Sequence, residues 1–132
     1  MIALDTNVLV RFLVADDADQ CARATRLVRQ AIEADSTLFL SNIVLAETVW
    51  VLDRSYNFTR GEIAAAIHRL LAARHLAFGS RERITRALRR FENRKGGFAD
   101  YLIAEDAAAA GVVRVATFDR ALLGESGFFA PE

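Results

Sequence analysis

A chain of 132 residues with 53% hydrophobic content has the length of one domain and enough apolar surface for a core without disulfide or metal staples. Lys and Arg together number 17 and so do Asp and Glu, which removes the global positive charge by which many nucleic-acid binders are recognised. The single cysteine, Cys21, excludes an intramolecular disulfide and a cysteine-rich zinc site, and no apolar run reaches the roughly 18 residues of a membrane span.

Ile2, Ala3 and Leu4 read as a short buried strand that stops at Asp5. Residues 8–15 follow as a short helix, and Asp5, Asn7 and Arg11 interrupt the apolar core that a secretory signal would need. A reducing, cytoplasmic setting is therefore expected. Asp16, Asp17 and Asp19 open a second helix running to about 34, with Ala22, Leu27, Val28, Ala31 and Ile32 as its apolar stripe. Residues 37–40 read as a second strand. Ser41 or Asn42 caps a helix to about 56, and Thr59 with Glu62 forms a capping-box pattern for another to about 74. Residues 75–78 suit a third strand. Ser80 then opens an arginine-rich helix that Gly96 and Gly97 end. A helix over 98–110, a strand over 112–116, a short helix over 119–123 and an edge strand over 127–130 complete the chain. Short apolar strands alternating with helices imply an α/β fold, with a parallel sheet covered on both faces. Ligands of such sheets bind at the carboxyl ends of the strands, where Asp5 and Asp119 fall.

Four acids stand out by their settings. Asp5 and Asp119 follow strands, and each also reads as a helix N-cap. Asp100 opens an alanine-rich helix, where it also suits the helix dipole. Glu47 interrupts the apolar run IVLAETVWVL and shares a helix face with Ile43, Val44, Trp50 and Val51. A carboxylate in so apolar a helix is expected to be buried, and hence paired with an arginine, protonated or metal-bound. Together the four acids suggest a site for a hard cation with oxygen ligands, Mg²⁺ or Mn²⁺. Glu105 and Asp106 point away from Asp100 and read as solvated, and Asp53 lies off the Glu47 face.

The segments IALDTNVLVRFL, LSNIVLAETVWVLDRSYNFTRGEI and GGFADYLIAEDAAAAGVVRVATFDRAL, in that order and spacing, resemble the PIN-domain ribonucleases, most closely the VapC toxins of bacterial and archaeal toxin–antitoxin pairs. That resemblance covers nearly the whole chain and is weakest between Phe58 and Arg94. It implies a single PIN domain over 1–132, a three-layer α/β/α fold with a central, mostly parallel sheet of four to five short strands. It also implies a metal-dependent RNA endonuclease, with Asp5, Glu47, Asp100 and Asp119 as the catalytic and metal-holding quartet. Thr6, Asn7 and Thr117 match the family's small polar helpers. A homodimer and a VapB-type antitoxin covering the active site are implied as partners. Hydrolysis would use water activated by Mg²⁺ or Mn²⁺ and leave a 5′ phosphate.

Arg83, Arg86, Arg90 and Arg94 recur at three- and four-residue spacing and are the expected RNA contacts; the same stripe also reads as a solvated face. Trp50, Tyr56 and Phe58 invite base stacking, though their apolar helix favours core or interface packing. Two other strand-end aspartate chemistries fit poorly. A haloacid-dehalogenase-type phosphatase needs a second Asp where Asn7 stands, and a receiver domain needs a late lysine, whereas Lys95 precedes the last strands. A non-catalytic partner-binding domain is the remaining alternative.

Overall fold

A computed structural model describes all residues, 1–132, and the chain falls into two compact units, Met1–Arg81 and Glu82–Glu132. The first unit runs β1 (Ile2–Ala3), α1 (Thr6–Leu13), α2 (Ala18–Glu33), β2 (Leu38–Leu40), α3 (Asn42–Tyr56), α4 (Arg60–Ala72) and β3 (Leu76–Phe78). Each step from one strand to the next passes through two helices, and such crossovers permit parallel pairing. The sheet order is β1-β2-β3, with Ile2 opposite Leu38 and Leu38 opposite Leu76. Helix α5 (Arg81–Asn93) begins at the boundary. The second unit continues with α6 (Phe98–Ala109), β4 (Val115–Ala116) and β5 (Phe128–Phe129), the two strands also pairing in parallel.

Side-chain caps set most helix starts. Asp5 accepts from Val8 N at 3.0 Å, Asp17 from Gln20 N at 2.9 Å and Ser41 from Val44 N at 3.1 Å. Thr59 and Glu62 close the reciprocal capping box expected of them, at 3.1 and 2.9 Å. Asn57 ends α3 in the left-handed region, at φ 56°, and Gly111 ends α6 at φ 84°.

Apolar side chains at helical spacing make a core in each unit. Leu9, Leu38, Leu40, Leu45, Leu52, Ile63 and Ile67 are buried in the first; Ile84, Leu88, Phe91, Phe98, Tyr101 and Leu122 are buried in the second. Phe91 and Phe98 meet edge to face with ring centroids 6.1 Å apart. No helix is long and apolar enough to cross a membrane.

The parallel α/β expectation is borne out by five short strands, all paired in parallel, three in one sheet and two in the other. Several details differ from the sequence reading. Helix α1 starts at Thr6 because Asp5 caps it there. The strand expected over 112–116 shrinks to Val115–Ala116, the two residues that β5 pairs, while Val112 and Val113 are exposed. Residues 119–123 form a turn instead of a helix; Gly124, at φ 100°, cuts the segment short of the length over which helical hydrogen bonds repay nucleation. Gly96 and Gly97 lie beyond the end of α5 and serve close approach, as described below. In α2 the buried residues are Ala24 and Ala31, and Ile32 turns outward.

Candidate active site

Asp5 stands exposed at the carboxyl end of β1 and the start of α1. One carboxylate oxygen is spent on the cap to Val8 N, and the other makes no hydrogen bond. Next to it, Asn7 is exposed with an unengaged amide, and Thr6 is half-buried. Glu47 departs from expectation. It is exposed, because α3 turns its Leu45, Thr48, Val49 and Leu52 face to the core and leaves Ile43 and Trp50 outside beside Glu47. Near-continuous apolar sequence concealed which side was covered. No arginine pairs with Glu47, so the salt bridge weighed for it is not formed.

In the second unit the charge of Asp119 reaches Asp100. Asp100 is half-buried in the first turn of α6. Burial raises its pKa most, the neighbouring Asp119 charge raises it further, and the hydrogen bond from Gly97 N at 3.2 Å pulls it back. A Cβ on Gly97 would lie 2.9 Å from that Asp100 oxygen, so any other residue there requires the carboxylate to shift. Asp119 is exposed at the end of β4. Its backbone N donates to Thr117 Oγ1 at 3.0 Å, and its carboxylate accepts from Ala121 N at 2.9 Å. Thr117 thus fixes the turn that presents Asp119.

Neither Asp100 nor Asp119 has a cationic partner, whereas Asp16, Asp19, Glu82, Asp106 and Glu125 each pair with an arginine. Within each unit no group of three or more His, Cys, Asp or Glu side chains is gathered as a metal cage. What the second unit brings together is a pair of mutually repelling carboxylates, a donor set suited to a hard divalent ion.

The arginine stripe of α5 is largely engaged. Arg83 meets Asp106 at 3.2 Å, and Arg86 meets Glu82 at 3.7 Å. Arg90 lies 3.6 Å from Glu125 and stacks over Tyr101 and Phe128 at 4.8 and 5.3 Å. Tyr101 Oη donates to Glu125 at 2.8 Å and accepts from Gly96 N at 2.8 Å. The sequence reading missed this Arg90–Glu125–Tyr101 network, which joins residues distant in sequence and carries no local spacing signal. Arg86 and Arg94 are the exposed members of the stripe.

An open groove of about 510 Å³ lies in the first unit. Asp5, Asn7, Val8 and Arg11 line one side, and Gln20, Arg23, Ala24 and Leu27 of α2 line the other. Arg11 is fixed there by Asp16 at 2.8 Å, by Tyr56 Oη at 2.9 Å and by Gln20 at 2.7 Å. Tyr56 Oη also donates to Asp16, so this aromatic has a structural post in place of a free stacking face.

Residues 2–123 match the PIN domain family model. The chain belongs to the PIN-domain family. The match runs through both units, and Asp5, Glu47, Asp100 and Asp119 fall within it. The VapC ribonuclease of Aquifex aeolicus is 25% identical over 120 residues, which are 91% of this chain and 88% of that protein. Among solved structures, Mycobacterium tuberculosis VapC20, described as a sarcin-ricin-loop-cleaving toxin, is 25% identical, with 99% of this chain and 100% of that one covered at a TM-score of 0.42.

Proposed function

We propose that this PIN domain is a metal-dependent RNA endonuclease of the VapC toxin type, restrained by a VapB-type antitoxin. The observation that carries the reading is the Asp100–Asp119 pair, a half-buried carboxylate that feels the charge of a second one, with no cation paired to either. Similarity to a VapC ribonuclease along nearly the whole chain supports it. Asp5, Glu47, Asp100 and Asp119 are assigned the carboxylates that hold Mg²⁺ or Mn²⁺. Mg²⁺ or Mn²⁺ held by these carboxylates would lower the pKa of the attacking water and offset charge at the phosphate.

The chain's own residues supply the positioning. Gly97 N–H and the first turn of α6 aim Asp100, Thr117 holds the turn of Asp119, and the α1 cap holds Asp5 with one oxygen free. Thr6 and Asn7 stand beside Asp5 as polar helpers. Water attacks phosphorus in line and the 3′ oxygen departs, leaving a 5′ phosphate. Phosphate contacts are assigned to Arg86 and Arg94, the two exposed members of the stripe, whereas Arg83 and Arg90 are half-buried. A cytoplasmic homodimer belongs to the same proposal.

The test is RNA cleavage by purified protein in Mg²⁺ or Mn²⁺ and in EDTA, beside Asp100→Asn. Cleavage is expected only from the unaltered chain with metal. Cleavage that persists in EDTA or in the variant overturns the reading, and cleavage by neither protein favours the partner-binding alternative.

A further inference from the structure

The groove between α1 and α2 has the size of a small-ligand site, and its lining is mixed rather than apolar. Asp5 stands at its edge. Arg11 is immobilised: Nε donates to Gln20, and Nη1 donates to Asp16 and Tyr56, which leaves Nη2 without a partner. Because those contacts have already fixed its rotamer, a further hydrogen bond from this guanidinium costs little side-chain entropy. Asp16 offsets much of its charge, however, so Arg11 directs more than it attracts.

Arg23 is the exposed cation of the groove. Its one partner, Asp19, lies 3.8 Å away in an exposed pair with 70% and 81% of the two side chains accessible, an arrangement that holds a cation loosely. Asn7 offers an amide with donors and acceptor unengaged, suited to a base edge. Leu27 supplies apolar wall to a ribose or base face.

We infer that this groove is the RNA subsite next to the scissile bond, with Arg23 taking a backbone phosphate and the neighbouring nucleoside lying between Asn7 and Leu27. This deepens the endonuclease reading and rests on it. The groove meets Asp5 at one end, so a strand lying in it passes the first acid of the proposed centre. An anionic, partly apolar and hydrogen-bonding chain matches the lining at Arg23, Leu27 and Asn7.

The experiment measures kcat and KM on a fluorophore–quencher single-stranded RNA of mixed sequence, across a range of salt, for the unaltered chain, Arg23→Glu, Arg23→Lys and Arg29→Glu. Arg29 is an exposed arginine of the same helix that does not line the groove, and it controls for net charge. Arg23→Glu is expected to raise KM roughly tenfold with kcat little changed, and to shallow the slope of log kcat/KM against log salt by about 0.7, one single-strand phosphate contact. Arg23→Lys keeps the slope, and Arg29→Glu has the smaller effect. Equal effects of Arg23→Glu and Arg29→Glu, or an unchanged KM and slope in Arg23→Glu, overturn the subsite while leaving the nuclease reading intact. An unaltered chain that cleaves no RNA overturns both.

Discussion

At the residue scale, the acids were recognisable in the sequence by where they interrupt apolar runs, but their surroundings were legible only in part. The cap role of Asp5 was readable from the strand end before it, and the structure confirms that cap. Burial of Glu47 was not readable, since Ile43 and Trp50 are apolar and exposed, and nothing in the sequence marks which face of α3 is covered. The tuning of Asp100 is a tertiary effect of burial and of Asp119. Its pKa is raised in the folded chain, so without metal its contribution to stability is fullest below the ordinary carboxylate value of 3.8 and declines as pH rises through the folded value. Asp119→Asn should move the Asp100 pKa downward and shrink that decline, as read by carboxyl-carbon NMR titration; an unmoved Asp100 would refute the coupling. Gly97→Ala is expected to push the Asp100 carboxylate aside and cut cleavage by about 100-fold, with a circular dichroism spectrum like that of the parent. Full activity in Gly97→Ala would show that the seat is not needed.

At the element scale, helices were easier to read than strands because caps are local. The Thr59–Glu62 box and the Ser41 cap appear as their spacing implies. Ser41→Ala should lower stability by about 1 kcal/mol in urea unfolding. Strand lengths depend on partners that local sequence does not name, and so the apolar run 112–116 pairs only at Val115 and Ala116. The two faces of α3 invite a paired measurement. Leu52→Ala, fully buried, should cost about 2–5 kcal/mol, whereas Trp50→Ala, 60% exposed, should stay within about 0.5 kcal/mol. Similar losses from both would contradict this orientation of the helix. The arginine-rich α5 teaches the same lesson from the other side. Its stripe is legible as periodic charge, but only the fold reveals that Glu125 and the Tyr101 and Phe128 rings hold Arg90.

At the scale of the whole molecule, the four acids assigned in the proposal are divided between the units. Asp5 and Glu47 belong to the first unit, Asp100 and Asp119 to the second, and the family match extends across both. The sequence order of the three motif segments made the family legible, while their individual motifs are too short to do so. If the four acids act together on one divalent ion, losing any of them should remove most of the activity without unfolding the chain. The direct measurement is the Mg²⁺- or Mn²⁺-dependent RNA cleavage rate of Asp5→Asn, Glu47→Gln, Asp100→Asn and Asp119→Asn beside the unaltered protein, with circular dichroism to confirm folding. Each variant is predicted to lose about 100-fold or more while remaining folded. A folded single variant that cleaves at the parent rate would contradict the four-acid account.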